Sequence, residues 1–103
     1  MTYKRHTLPQ ISEEHLINFD YVKYNTPPER LVPSQSERVP SLLRKARLKF
    51  PAIKPIIIDI ANKIVNGHHR YDVALELGMP LVPVLQVHTT LEELIIHFVK
   101  NKS

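Results

Sequence analysis

The chain has no cysteine among its 103 residues, so disulfides, thiolate nucleophiles and thiolate-bound zinc or iron–sulfur centres are excluded. That absence suits a reducing compartment. Glycine is nearly absent as well, two residues against nine prolines, so the loops are stiff and the two glycines are expected where backbone geometry demands them. No apolar run approaches the roughly 20 residues of a membrane span. The opening Met1-Thr2-Tyr3-Lys4-Arg5-His6 has no apolar signal core, so a soluble, cytoplasmic protein is expected. A Walker-type glycine loop and a Ser–His–Asp order are also missing. What remains is a chain with 43% hydrophobic residues, enough for one compact domain and not two. The formal charge of +4 and the pI near 9.5 favour an anionic partner, nucleic acid or a phosphorylated small molecule ahead of a membrane surface. Ordinary solvated lysines account for so modest a charge equally well.

Along the chain, residues 1–28 mix charges, tyrosines, His6, His15 and the Pro27-Pro28 pair, with one short helical candidate starting near Ser12. This stretch reads as an N-terminal arm that docks a protein partner, and residues 29–103 as the domain proper. Glu29 to Val32 reads as a short strand ended by Pro33, which has no amide proton for a ladder. From Ser36 or Pro40 to Phe50, Val39, Leu42, Leu43, Ala46 and Phe50 recur at helical spacing, with Arg38, Arg44, Lys45, Arg47 and Lys49 on the remaining surface. Lys54 to Ile60 is a β-branched run typical of a buried strand. A turn at Ala61-Asn62 then leads into a second strand over Lys63 to Asn66, pairing with the first as a hairpin. His68 to Leu77 has helical periodicity, with Gly78 placed to end it in a left-handed residue. Val82 to Val87 reads as a third strand. Thr90 and Glu93 stand at capping-box spacing before a final short helix carrying Leu91, Leu94, Ile95 and Phe98. The order predicts an α+β or α/β fold, a small mixed sheet with flanking helices.

Both glycines fall in Lys63-Ile-Val-Asn-Gly-His-His-Arg-Tyr-Asp-Val-Ala-Leu-Glu-Leu-Gly78. A strand that runs through Asn66-Gly67 straight into a helix presents that helix's first amides, which have no internal acceptor, together with the positive end of its dipole. An anion is stabilised there. Gly67 lets a phosphate approach the backbone, Arg70 offers a forked and permanently charged donor pair, and His68 and His69 add donors whose charge depends on pH. The plainer alternative is that Gly67 turns the chain and the histidines are surface residues. Transition-metal binding is disfavoured, because adjacent helical residues point about 100° apart and only His68 with Asp72 makes a sensible ligand pair. Magnesium arriving with phosphates needs only one or two carboxylates, for which Asp59, Asp72 and Glu76 are candidates. His88 and His97 read as ordinary strand-end and helix residues.

The run Pro55-Ile-Ile-Ile-Asp59, then Ile64-Val-Asn-Gly-His-His-Arg-Tyr-Asp-Val-Ala-Leu-Glu-Leu-Gly78 and Val82-Pro-Val84, resembles the ParB/sulfiredoxin superfamily. Upstream, Arg30-Leu-Val-Pro-Ser-Gln35 and the following helix look like that family's opening strand, polar turn and first helix, so the resemblance covers about residues 29 to 88. It implies that the segment matching Gly67-His-His-Arg70 binds nucleotide phosphates at a helix start, with Gln35, Glu37 and Arg38 facing the same cleft. Members include partition proteins that bind and hydrolyse CTP and load onto DNA, ParB-like nucleases, sulfiredoxins and archaeal free-serine kinases. Sulfiredoxin chemistry needs a cysteine where this chain has His68, and is ruled out. Partition proteins carry a Gly-Glu-Arg-Arg type motif and continue into a helix-turn-helix domain, whereas one short helix follows Val87 here. The Gly-His-His-Arg form is similar to the free-serine kinases, where a glutamate matching Glu37 is the catalytic base.

Three readings follow. The first is a ParB-like domain that holds a nucleotide (ATP, ADP or CTP) or nucleic-acid phosphate at Gly67 to Arg70. In it Arg44, Lys45, Arg47 and Lys49 make salt-sensitive contacts to DNA, with or without nuclease action, in a setting such as a phage. The second is a small-molecule phosphotransferase with Arg70 on the triphosphate, Mg2+ bridging phosphates and Glu37 orienting the attacking hydroxyl. The third is a non-catalytic accessory protein docking a larger partner through its arm.

Overall fold

The computed structural model describes residues 9–34 and 54–100. The basic helix expected between Ser36 and Phe50 lies outside the described residues. A four-stranded sheet is built from β1 (Tyr21–Thr26), β2 (Ile56–Ile58), β3 (Ile64–Asn66) and β4 (Val82–Val87). Its order is β1-β4-β2-β3. β1 and β4 pair antiparallel, β4 and β2 parallel, and β2 and β3 antiparallel as the expected hairpin. Two ten-residue helices, α1 (His68–Leu77) and α2 (Leu91–Lys100), complete it. This is the small mixed sheet with flanking helices that the sequence predicts.

Strand alternation sorts the apolar side chains onto two faces. Ile57 stands opposite Leu85 in the register. With Val65 and Val87 they meet Leu91 and Leu94 of α2, and Ile11 and Leu16 from the N-terminal stretch, in one core. Ile56 stands opposite Val84. That opposite face collects Ile56, Ile58, Ile64, Val82 and Val84 against Ala74 of α1 and against Leu31. Each sheet face is therefore sealed by its own helix, and each fully buried aliphatic side chain contributes roughly 1.5–3 kcal/mol of transfer free energy.

Two expectations are corrected by these contacts. Residues 9–28 do not stand apart as an arm: Ile11 and Leu16 are core residues and β1 is a full member of the sheet. The helical candidate near Ser12 is a short 3-10 helix, Glu13–Leu16, opened by Ser12, whose amide donates to His15 Nδ1 at 2.9 Å. Glu29 to Val32 is not a strand either. Pro28 at the first helical position starts a 3-10 turn over Pro28–Arg30, because its fixed φ is set for a helical turn. Of these residues Val32 alone pairs with the sheet through its backbone, as an isolated parallel bridge to Lys63.

The ends of the elements follow their local chemistry. Gly78 is left-handed at φ 65° and ends α1: its amide donates to Leu75 O and the Met79 amide to Ala74 O, with Met79 packed on the core. Asn62, also left-handed at φ 65°, turns β2 into β3. Gln86 then ties three elements through one amide, Nε2 donating to Asp59 O and Asn62 Oδ1 while Oε1 accepts the Tyr24 hydroxyl. Among the described residues no helix is long and apolar enough to cross a membrane.

Candidate functional site

The candidate site forms where β3 hands over to α1. Asn66 ends the strand and its Nδ2 donates to Ile11 O at 2.8 Å, which pins the N-terminal stretch beside the turn. Gly67 follows at φ 108°, ψ 23°, a conformation L side chains rarely adopt, and acts as the N-cap of α1. Its carbonyl accepts the first helical bond, from the Tyr71 amide at 2.9 Å. A Cβ at this position would stand 3.0 Å from Arg70 Nη2, 3.2 Å from Arg70 Nε and 3.2 Å from Ile56 Cα. Glycine is favoured by the backbone angle and by the backbone of Ile56, which cannot swing aside as the Arg70 guanidinium folded against the turn can. The first turn of α1 carries no acidic residue, and Gly67 has no side chain to occupy its amides. Positive dipole, glycine and guanidinium thus converge on one side of the turn.

The two histidines separate. His68 is only 8% exposed, and its Nε2 lies 2.9 Å from the hydroxyl of Ser34. Ser34, wholly buried, hydrogen-bonds the Ile64 carbonyl through the same hydroxyl. A hydroxyl has one proton, and a carbonyl only accepts, so that proton lies on Ile64 and the His68 Nε2–H must donate to Ser34. The His68 ring therefore braces the polar turn at Ser34 against β3, and its Nε2–H is not among the donors left for a phosphate. His69 is half-buried on the next position of the helix. Ser34 itself was not singled out from the sequence, although Pro33 before it marks where the chain turns away from the sheet.

The magnesium expectation for Asp59 is corrected by its surroundings. The residue is 1% exposed; Oδ1 accepts the amides of Ala61 (2.9 Å) and Lys63 (2.8 Å), and Oδ2 that of Leu91 (2.9 Å). The carboxylate closes the β2–β3 turn and caps the start of α2 at once, which leaves it committed to backbone. Asp72 is buried on the second turn of α1, and Glu76 is exposed near its end. Among the described residues no group of three or more His, Asp or Glu gathers to hold a metal ion. Gln35, Glu37, Arg38, Arg44, Lys45, Arg47 and Lys49 lie outside the described residues.

No family model matches the chain, and no curated protein matches it. Among solved structures it is similar to two of the pNOB8-like ParB N-domain. One has a TM-score of 0.56 at 21% identity over 73% of this chain, the other 0.58 at 18% over 82%. It is also similar to the C-terminally truncated chromosome-partitioning protein ParB from Caulobacter crescentus complexed with CTP-γ-S, with a TM-score of 0.55 at 20% identity over 79% of this chain. The fold is that of a ParB N-domain. This chain spans about a third of each pNOB8-like chain, 32% in both, and 53% of the Caulobacter chain.

Proposed function

We propose that this ParB-like domain binds the phosphates of a nucleotide at Gly67 to Arg70 and works in association with DNA. The observation that carries the reading is the turn itself: a left-handed glycine opening a helix with no acid in its first turn, and an arginine guanidinium folded to within contact of that glycine. Such a turn stabilises an anion by main-chain amides and by charge-assisted hydrogen bonds together. Support comes from the fold, since one similar structure is a ParB complexed with CTP-γ-S. The His68–Ser34–Ile64 chain gives the turn a rigid backing, so little ordering is needed when a phosphate arrives.

Calorimetry with CTP, ATP, ADP and a short DNA duplex, each with and without Mg2+, tests the proposal. A nucleotide triphosphate that binds wild type and is lost in Arg70→Ala supports it. Failure of every nucleotide to bind, with Arg70→Ala behaving as wild type, overturns it. DNA binding lost in Arg44→Ala/Arg47→Ala but kept in Arg70→Ala places the duplex on the basic segment and leaves the turn to the nucleotide. Nucleolytic or phosphotransfer turnover, the latter with Glu37 as base, would appear in the same samples as product release.

A further inference from the structure

We propose that His15 makes residues 9–19 an acid-released clasp on the Gly67 turn, because its neutral ring is the acceptor that holds the start of the clasp. The clasp itself stands on contacts that need no ligand; its influence on phosphate binding rests on the nucleotide reading.

The clasp runs from the candidate site to α2. At one end the Ile11 carbonyl accepts Asn66 Nδ2 at 2.8 Å, and Asn66 is the residue before Gly67. Ile11 and Leu16 enter the same core as Leu91 and Leu94 of α2. At the other end two histidines and two phenylalanines are exchanged across the seam. The His15 ring lies 5.1 Å from that of Phe98 on α2, and the His97 ring of α2 lies 4.9 Å from that of Phe19, both pairs nearly perpendicular. All four rings line one pocket, together with Glu14.

Ser12 and His15 stand at capping-box spacing, where the later residue is ordinarily Glu or Gln and reaches back to the first amide. Here an imidazole does so: the Ser12 amide donates to His15 Nδ1 at 2.9 Å, with the Ser12 hydroxyl 3.1 Å from the same nitrogen. An amide N–H only donates, so Nδ1 carries a lone pair and the proton of the neutral ring is on Nε2. An imidazolium has N–H groups on both nitrogens and accepts nothing. The hydroxyl can turn to accept the new proton; the amide cannot, and loses its partner. The neutral ring therefore belongs to the closed clasp, and closure is lost as pH falls through the histidine range.

The charges around the ring do not replace that bond. Glu13 is paired with Lys23 of β1 at 2.7 Å. Glu14 shares the pocket and favours a protonated ring, but it is exposed and screened by water. His97, on the α2 side of the pocket, gains like charge in the same pH range. A lost capping bond opens a segment locally rather than the whole sheet. Through Ile11 and Asn66 that opening reaches the turn.

NMR of the full chain without ligand, between about pH 7.5 and 5.5, tests this. The control is His15→Gln, which keeps a capping-box acceptor and does not titrate. The readout is exchange protection of the Ser12, His15 and Phe19 amides, each bonded within the segment, corrected for the intrinsic rate at each pH. In wild type it is expected to fall about fivefold with acid, and the Gly67 amide resonance to move further than in His15→Gln, whose movement reports only His68 and His69. Protection that holds in wild type, or falls equally in His15→Gln, overturns the clasp. A Gly67 resonance that moves equally in both proteins overturns its reach to the turn. Should His15→Gln fail to fold, His15→Glu supplies the other capping-box side chain. Calorimetry with CTP is then read as wild-type affinity relative to His15→Gln at each pH, which cancels titration of the nucleotide and of His69. A relative affinity that falls at least about twofold with acid supports regulation of the site, and a constant one overturns it. Absence of CTP binding in both proteins at either pH overturns the nucleotide reading and its regulation, while the exchange experiment still decides the clasp.

Discussion

The two helices begin in opposite ways. At the start of α2 every favourable negative group is protein: the Asp59 carboxylate accepts the Leu91 amide, Thr90 Oγ1 accepts that of Glu93 at 3.2 Å, and Glu92 and Glu93 stand in the first turn. At the start of α1 there is a bare left-handed glycine, no acid, and a basic side chain laid against the turn. Two equal lengths of helix carry equivalent dipoles. One positive end is closed by a buried carboxylate and a hydroxyl that hold the fold together, whereas the other has no acid in its first turn and a capping residue without a side chain.

Removing Asp59 should have the largest effect, since Asp59→Ala leaves three amides short of their charged acceptor. A loss of about 3–5 kcal/mol is expected in urea unfolding. Gly67→Ala should cost about 1–2 kcal/mol from the left-handed backbone alone, and should also disturb Arg70, so that nucleotide affinity in calorimetry falls with stability. Arg70→Ala is the complement: a small change in the melt but at least about a tenfold loss of nucleotide affinity, or roughly 1.5–3 kcal/mol. An Arg70→Ala variant that instead melts far below wild type, yet binds nucleotide as wild type does at temperatures where it is folded, would erase the contrast between the two helix starts. Thr90→Ala should cost about 1 kcal/mol, the ordinary value of an N-cap, with no change in nucleotide binding.

The smallest effect belongs to Glu92. Its bond to its own main-chain amide, joined by Lys63 Nζ at 3.5 Å, holds its carboxyl below the usual value of 4.5. A depressed folded value means that the charged form favours the folded state. The contribution is therefore present above the ordinary carboxylate range and disappears as pH falls through the folded value. The side chain is 54% exposed, so screening limits Glu92→Gln to about 0.3–0.5 kcal/mol at neutral pH. Below the carboxylate range the variant and wild type should melt together.

Much of this layout can be seen in the residue pattern. The hairpin around Ala61-Asn62, the helix from His68 to Leu77 with its glycine stop, β4 and the Thr90 cap all carry local signals, and each appears at or near its expected bounds. β1 was missed because an edge strand with five exposed residues has no apolar alternation to betray it. Glu29 to Val32 misled because β-favouring Leu31 and Val32 follow a proline pair whose rigidity starts a 3-10 turn instead. Asp59 looked like a metal ligand at a strand end. Only the arrival of the α2 amide from 32 residues further along shows it to be a cap. In the same way His68 and His69 are equivalent as letters, and the burial of Ser34 separates them.

The sequence by itself determined the elements from β2 to α2 and the glycine turn that opens α1, because periodicity, β-branching, proline and glycine act over a few residues. Tertiary structure alone decided that Tyr21–Thr26 belongs to the sheet, which carboxylate faces backbone, and which histidine is turned inward. Those outcomes depend on partners 30 or more residues away, such as Ser34 for His68 and Leu91 for Asp59. A hydrogen bond over that distance leaves no periodic trace in the chain; it exists only once the two sheet faces have been packed.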